Sequence, residues 1–179
     1  MNGNLTIRQA RLVLPDRVVT GDLVVEDGII TEIAPRVDRA VGEEVAACGW
    51  IALPGLVDPN VRAREPGLTR HEDLTTCTRA AAAGGVTAIL DLPDTLPATT
   101  TGQRLREKLA LAEEKACVHY GAWLGATADN LAELRDARRA IGVHLRIAPR
   151  LGAEPEELAL TDREVIARIF AEVQLPLAV

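Results

Sequence analysis

Residues 51–67 read IALPGLVDPNVRAREPG, and the prediction of the fold starts from this stretch. Its first eight residues are mostly apolar, which favours a strand, and the polar run after them is typical of a loop. Further apolar segments recur about every 25–35 residues, at 86–92, 118–124, 143–147 and 175–179. This spacing predicts βαβ units, so residues 51–179 are expected to form an α/β domain with a parallel sheet.

The segments between these strands carry helix signals. A threonine followed three residues later by Glu or Gln is a capping box, and it predicts three helix starts at Thr69 with Glu72, Thr100 with Gln103, and Thr161 with Glu164. The last helix is predicted to present one apolar face, made of Val165, Ile166, Ile169, Phe170 and Val173.

Residues 4–34 have a different pattern, in which short alternating segments are separated by turns. The pair Asp27-Gly28 between two of these segments is a strong hairpin signal. We therefore expect a small antiparallel β module, sandwich-like, over residues 1–50, and irregular chain from Pro35 to Ala47. The second domain would then cover residues 51–179.

Composition narrows the class of function. The 179 residues carry a net charge of −6 and only 2% are aromatic, which argues against nucleic-acid and anionic-membrane partners. The sequence has no apolar run of about 18 residues and no signal-like N-terminus, so no membrane span is expected. Three scattered cysteines indicate a reducing compartment, and the expected location is the cytoplasm.

Residues 53–67 also carry a family resemblance. In this stretch a Pro-Gly-x-x-Asp run leads into Asn60-x-Arg62-x-Arg64-Glu65-Pro66-Gly67. It resembles the first barrel strand of the dihydroorotases, in the cyclic amidohydrolase superfamily, where the corresponding motif is His-x-His-x-Arg-Glu-Pro-Gly. Residues 79–87 and 92–97 are similar to the next helix, strand and loop of that family. The resemblance implies a partial TIM-type (β/α) barrel of four or five βα units, about half of a complete barrel.

Active members of the family use zinc to activate water for hydrolysis of a cyclic amide. By the resemblance, the metal-ligand positions fall on Asn60, Arg62 and His144. An arginine cannot be a ligand and an asparagine is a weak one, so we expect no metal, no cofactor and no catalytic residue here. Neither Lys108 nor Lys115 is expected to replace the family's bridging lysine, because both lie on a predicted helix.

The resemblance also indicates a substrate clamp that is half preserved. Its positions are Arg64 and Asp94, and the family has an asparagine where Asp94 stands. An acidic side chain there would repel a carboxylate substrate and attract an arginine. We therefore expect an internal ion-pair cluster of Arg62, Arg64, Asp91 and Asp94.

Together these features suggest a catalytically degenerate dihydroorotase-like protein. Its resemblance to noncatalytic homologues implies a structural role toward aspartate carbamoyltransferase in pyrimidine biosynthesis. One alternative is the N-terminal part of an active zinc-dependent hydrolase, and another is a relic without a role of its own. Because half a barrel has open sheet edges, we also expect either a homo-oligomer or a truncated longer chain, and the apolar end at Val179 favours truncation.

Overall fold

The structure is a computed structural model that describes residues 3–147 and 155–179. The chain divides into two compact units, one ending at Pro54 and one running from Gly55 to Val179. The division falls within a Pro-Gly pair, a combination that interrupts regular structure.

One five-stranded sheet forms the first unit. Its strands are β1 (Leu5–Val13), β2 (Val18–Glu26), β3 (Ile29–Ala34), β4 (Glu43–Ala46) and β5 (Ile51–Ala52). The first three pair antiparallel, as predicted, whereas β4 and β5 both pair with β1 in parallel. The prediction of irregular chain from Pro35 to Ala47 is therefore wrong at β4. The four residues of β4 have too little alternation to signal a strand, and pairing with β1 determines their conformation.

The turn between β2 and β3 confirms the predicted hairpin. Asp27 and Gly28 have φ angles of 51° and 79°. Positive φ at both positions defines a type I′ turn, whose twist matches that of the two strands it joins. Asp-Gly is among the few pairs that adopt this conformation readily.

The buried carboxylate of Asp22, in β2, holds the segment that follows β3. It accepts hydrogen bonds from the backbone amides of Gln9 (2.9 Å) and Val37 (3.0 Å), and it pairs with Arg8 at 2.9 Å. Burial alone would raise the pKa of Asp22, but these hydrogen bonds outweigh it and hold the pKa well below its usual range. Gln9 lies at an irregularity in β1 and has a φ of 55°.

Parallel strands form the sheets of the second unit. Strands β6 (Leu56–Val61), β7 (Val86–Asp91) and β8 (His119–Ala122) pair in that order, and a second set consists of β9 (Leu124–Gly125), β10 (Val143–His144) and β11 (Leu177–Ala178). The predicted strand over residues 51–58 is divided between β5 and β6. Pro54, which has no N–H to donate, lies between the two parts.

Helices α1 (Leu74–Ala83), α2 (Gly102–Lys115), α3 (Leu131–Arg135) and α4 (Arg163–Glu172), with a 3₁₀ turn at Glu156–Leu158, connect these strands. A mixed α/β fold with an N-terminal antiparallel sheet is thus confirmed, and a partial (β/α) barrel stays a prediction. The predicted capping residues are wrong by one to four positions. The side chains that cap α1, α2 and α4 belong to Asp73, Thr101 and Asp162.

The main apolar core lies between helices and strands in the second unit. It includes Leu105 of α2, Leu134 of α3 and Ile169 of α4, packed with the strand residues Leu124 and Val143. Phe170 does not join this core as predicted, because 52% of its surface is exposed. The apolar face of α4 is therefore narrower than its sequence suggests.

Trp123, between β8 and β9, ties these strands to β6. Its indole Nε1 donates a hydrogen bond to the carbonyl oxygen of Pro59 at 3.0 Å. Gly142 leaves space for the indole, because a Cβ at that position would overlap the ring. Trp123 is 9% exposed, so its ring is part of the packed interior of the second unit.

Both ends of the parallel strand series are open within the described residues. In residues 3–147 and 155–179, strand β6 pairs only with β7, and β11 pairs only with β10. Two apolar side chains on β6, Leu56 and Val57, are 56% and 60% exposed. Unpaired backbone groups and exposed apolar side chains together favour pairing with further strands.

None of the helices described has both the length and the apolar character that spanning a bilayer requires.

Candidate functional site

Two arginines at the end of β6 bind one carboxylate. The Nε of Arg62 lies 3.1 Å from Oδ2 of Asp94, and Nη1 of Arg64 lies 3.2 Å from the same oxygen. The Asp94 side chain is 8% exposed, whereas those of Arg62 and Arg64 are 47% and 26% exposed. We call this arrangement the Arg62–Asp94–Arg64 bridge. Its carboxylate is largely shielded from water, which strengthens its attraction to the two guanidinium groups.

The chain turns sharply after Arg62, and the motif Arg64-Glu65-Pro66-Gly67 accounts for the turn. Arg64 has a φ of 61° and Gly67 a φ of 85°. A Cβ on Gly67 would overlap the carbonyl oxygen of Leu96, so only glycine fits at this position. The bend of the chain is what returns Arg64 toward Asp94.

Glu65 of this motif has a structural task. Its buried carboxylate accepts a hydrogen bond from the amide of Leu74, the first residue of α1, at 3.1 Å. The same carboxylate pairs with Lys115 at the end of α2. Glu65 therefore joins the loop after β6 to two helices. The ammonium group of Lys115 is engaged in the ion pair with Glu65.

His144 of β10 lies in a small cleft beside the bridge. The cleft is lined by Arg62, Asp94 and Arg146 among others, and its free volume is about 20 Å³, room for about one water molecule. Burial lowers the pKa of His144, as do Arg62 and Arg146, while Asp94 opposes them. Among the described residues, the buried Nδ1 of His144 has no hydrogen-bond partner.

Asp91 does not join the arginines, which corrects the predicted four-residue cluster. It shares a face of β7 with buried Ile89, since residues two apart along a strand point the same way. Its carboxylate instead receives Lys108 Nζ at 2.9 Å, the Tyr120 hydroxyl at 2.7 Å and the Ala63 amide at 3.0 Å. Asp94 follows the end of the strand and is free of this constraint.

Sequence reasoning missed the role of Lys108, treating it only as a poor substitute for a metal-bridging lysine. Its side chain is fully buried, and Nζ also donates to the carbonyl oxygen of Leu92 at 2.6 Å. A signal was present, because Leu105, Lys108 and Ala112 fall at helical spacing on one face of α2, and all three are buried. A lysine on an apolar helix face implies a buried acidic partner.

The residues at the predicted metal-ligand positions do not fit a zinc ion. Asn60 is exposed, and its backbone amide donates to Asp58. Arg62 is a permanent cation paired with Asp94, so His144 is the one standard zinc ligand among the three. In residues 3–147 and 155–179, no group of three or more His, Cys, Asp or Glu side chains is placed to hold a metal.

Several curated proteins are similar in sequence. An allantoinase of Streptomyces avermitilis is 37% identical over 174 residues, which is 94% of this chain and 38% of that protein. An allantoinase of Deinococcus radiodurans is 36% identical over 76% of this chain and 31% of its own length. A dihydroorotase of Methanosphaera stadtmanae is 37% identical over 68% of this chain and 28% of its own length. No protein-family model matches the sequence.

Solved structures agree with these relatives. The L-hydantoinase (dihydropyrimidinase) of Arthrobacter aurescens has a TM-score of 0.85 at 26% identity, over 93% of this chain and 37% of that one. The dihydropyrimidinase of Brevibacillus agri has a TM-score of 0.75 at 23% identity, over 91% of this chain and 36% of that one, which is a likeness of fold alone.

An N-terminal β unit followed by a parallel α/β unit, with polar residues after consecutive strands, is the plan of the N-terminal portion of a cyclic amidohydrolase. The chain is accordingly similar to the N-terminal portion of proteins of the cyclic amidohydrolase superfamily, and it spans 38% or less of each curated relative named here. Allantoinases and dihydroorotases both occur among those relatives, so the preference for dihydroorotase stays a prediction.

Proposed function

We propose that the chain is a catalytically degenerate, dihydroorotase-like member of this superfamily, a pseudoenzyme with a structural role. The observation that carries the proposal is the ion pair between Arg62 and Asp94 at a position where the family has a metal-binding histidine. Zinc needs neutral imidazoles or anionic oxygens and sulfurs as ligands, and a guanidinium cannot supply either.

The clamp supports the same proposal. By the resemblance, Arg64 would bind the carboxylate of a substrate, but here Arg64 binds the carboxylate of Asp94. Asp94 thus forms the ion pair with Arg64 that a substrate carboxylate would otherwise form. The negative charge of Asp94 would also repel an acidic substrate. A small cleft, with room for about one water molecule, leaves little space beside the bridge.

Metal content and hydrolysis together test this proposal. The purified chain is expected to retain no stoichiometric zinc and to hydrolyse neither dihydroorotate nor allantoin. The Streptomyces avermitilis allantoinase, prepared and assayed in parallel, is the positive control for metal retention and for allantoin turnover. Zinc retained at one ion per chain, with turnover that a chelator abolishes, would overturn the proposal.

The structural role that we propose is in assembly with aspartate carbamoyltransferase, in pyrimidine biosynthesis. Its support is the sequence resemblance to noncatalytic dihydroorotase homologues, together with the edges of β6 and β11 that have no partner strand among the residues described and can accept further strands. Mixing the two purified proteins before size-exclusion chromatography is expected to give a joint peak. Separate elution at micromolar concentrations of both would contradict the proposed partner and leave the metal test unaffected.

A second candidate is the N-terminal part of an active zinc-dependent cyclic amidohydrolase, such as a dihydroorotase that converts dihydroorotate and water to carbamoyl-aspartate. The observation in its favour is that the curated relatives carry hydrolase names and extend well beyond the matched region. Under this alternative, the ligands would come from residues outside the chain. Zinc-dependent turnover by a longer product of the same gene would favour it.

A further inference from the structure

The buried carboxylate of Asp91 connects four segments of the second unit. It accepts hydrogen bonds from the amide of Ala63, after β6, and from the hydroxyl of Tyr120 in β8, and it pairs with Lys108 of α2. The side chains of Lys108 and Asp91 are 0% and 1% exposed. We call these four residues and the carbonyl of Leu92 the Lys108–Asp91 network.

Charge and hydrogen bonding are matched within this network. The single positive charge of Lys108 faces the single negative charge of Asp91 at 2.9 Å, and the Lys108 ammonium has a second acceptor in the carbonyl of Leu92. Oδ2 of Asp91 binds Lys108 and Tyr120, while Oδ1 binds the Ala63 amide. Burial and, after it, the nearby negative charge of Asp91 raise the pKa of Tyr120, so its hydroxyl remains a donor.

A buried ion pair is not an efficient way to stabilise a core. Desolvation offsets most of the attraction, and apolar residues of similar volume are often as stable or more so. A methionine could fill much of the space of Lys108 on the apolar face of α2. What the ion pair adds is directionality, because its hydrogen bonds fix particular backbone groups in particular places.

The backbone groups that these hydrogen bonds hold in place lie next to the residues of the Arg62–Asp94–Arg64 bridge. Ala63 stands between the two arginines, and Leu92 lies two residues before Asp94. Position 64 needs such support, because its φ of 61° is unfavourable for a residue with a Cβ. Through Asp91 and the carbonyl of Leu92, Lys108 restrains the backbone on both sides of the bridge. None of the contacts described joins Lys108 directly to a residue of the bridge.

We propose that Lys108 and Asp91 are positioning residues, which hold the ends of β6 and β7 so that Arg62 and Arg64 meet Asp94. The inference goes beyond the proposed function and holds whether or not the chain binds a metal. It concerns the geometry of the bridge, so its test must separate that geometry from global stability.

The test compares Lys108→Met with Leu105→Ala in the full chain. Both positions lie on the buried face of α2, but Leu105 belongs to the apolar core and not to the network. The measurement is hydrogen exchange of the Nε–H of Arg62 by NMR at mildly acidic pH, with the signal assigned through Arg62→Lys. Lys108→Met is expected to accelerate this exchange about tenfold, the effect of losing one charge-assisted hydrogen bond.

Leu105→Ala is expected to leave the Arg62 exchange rate at its wild-type value. Equal rates in Lys108→Met and the wild type would overturn the proposal, as would equal acceleration in both variants. Should Lys108→Met fail to fold, Tyr120→Phe decides, since it removes a single hydrogen bond to Asp91. A severalfold acceleration in Tyr120→Phe supports the network, and an unchanged rate overturns it.

Discussion

Arg62 and Asp94 form an ion pair in which the guanidinium Nε lies 3.1 Å from a carboxylate oxygen. Asp94 bonds to Arg64 through the same oxygen, which gives the carboxylate two cationic partners. One buried carboxylate thus forms ion pairs with two arginines.

Asp22 provides a pH-dependent test at a single residue. Its pKa is lowered in the folded chain, so its contribution to stability is complete above the unfolded pKa of about 3.9 and is lost as the pH falls below it. Asp22→Asn should lower the free energy of unfolding at pH 7 by about 2 kcal/mol. Urea titrations from pH 7 to pH 3 should show a smaller acid-induced loss in this variant, and an equal loss would contradict the assignment.

Gly67 provides a steric test with a matched control. Gly67→Ala should destabilise the chain by about 3 kcal/mol, because the new Cβ overlaps the Leu96 carbonyl in addition to the cost of a positive φ. Gly85 has a φ of +81° but open space around it, so Gly85→Ala should cost about 1 kcal/mol. Urea denaturation of both variants gives the comparison. Equal losses would mean that the Leu96 contact is not restrictive.

Among the secondary-structure elements, spacing in the sequence predicted the kinds of element and left their ends uncertain. The repeat of apolar segments after residue 51 predicted parallel strands, and all of the expected segments contain one. The capping-box pattern suggested Thr69 as the cap of α1, although Asp73 fills that role. The reason is local, since residues 62–73 form the turn around Glu65, whose carboxylate holds the first amide of the helix.

The start of α1 can be tested by two substitutions. The Asp73 side chain accepts a hydrogen bond from the amide of Thr76 at 2.8 Å, and this bond lowers the pKa of Asp73. Asp73→Ala should therefore cost about 1 kcal/mol. Thr69→Ala should change stability by less than about 0.5 kcal/mol. Thermal unfolding of the two variants distinguishes them, and the reverse ranking would favour the sequence-based helix start.

For the chain taken as a whole, composition and periodicity predicted the mixed α/β fold but not how charged groups pair across it. Asp91 and Asp94 are three residues apart, yet one meets Lys108 and the other meets Arg62 and Arg64. Which partner each finds depends on the face of β7 and on the position of α2, neither of which the motif reveals. The motif predicted that the arginines at 62 and 64 pair with Asp94, whereas the apolar face of α2 implied an acidic partner for Lys108 without identifying it as Asp91.

At the scale of the whole molecule, the prediction to test is that copies of the chain associate with one another. The edge of β6, which is unpaired in the part of the chain that the structure describes, and the exposed side chains of Leu56 and Val57 should promote pairing between copies. The average mass should therefore rise with protein concentration. Val57→Lys should reduce this rise. Val18→Lys, at a similarly exposed valine of the first unit, should not. Sedimentation velocity makes the comparison, and a wild-type monomer at all concentrations would contradict the expectation.

The sequence contains two tryptophans, and the structure gives them opposite surroundings. Trp50, in the first unit, is 65% exposed, whereas the indole of Trp123 is enclosed in the second unit with its N–H on Pro59. The fluorescence emission maximum of Trp50 should hardly change when the chain unfolds. That of Trp123 should move to longer wavelength as water reaches the indole. Intrinsic fluorescence should therefore follow the loss of the second unit, and Trp123→Phe should remove most of that spectral change.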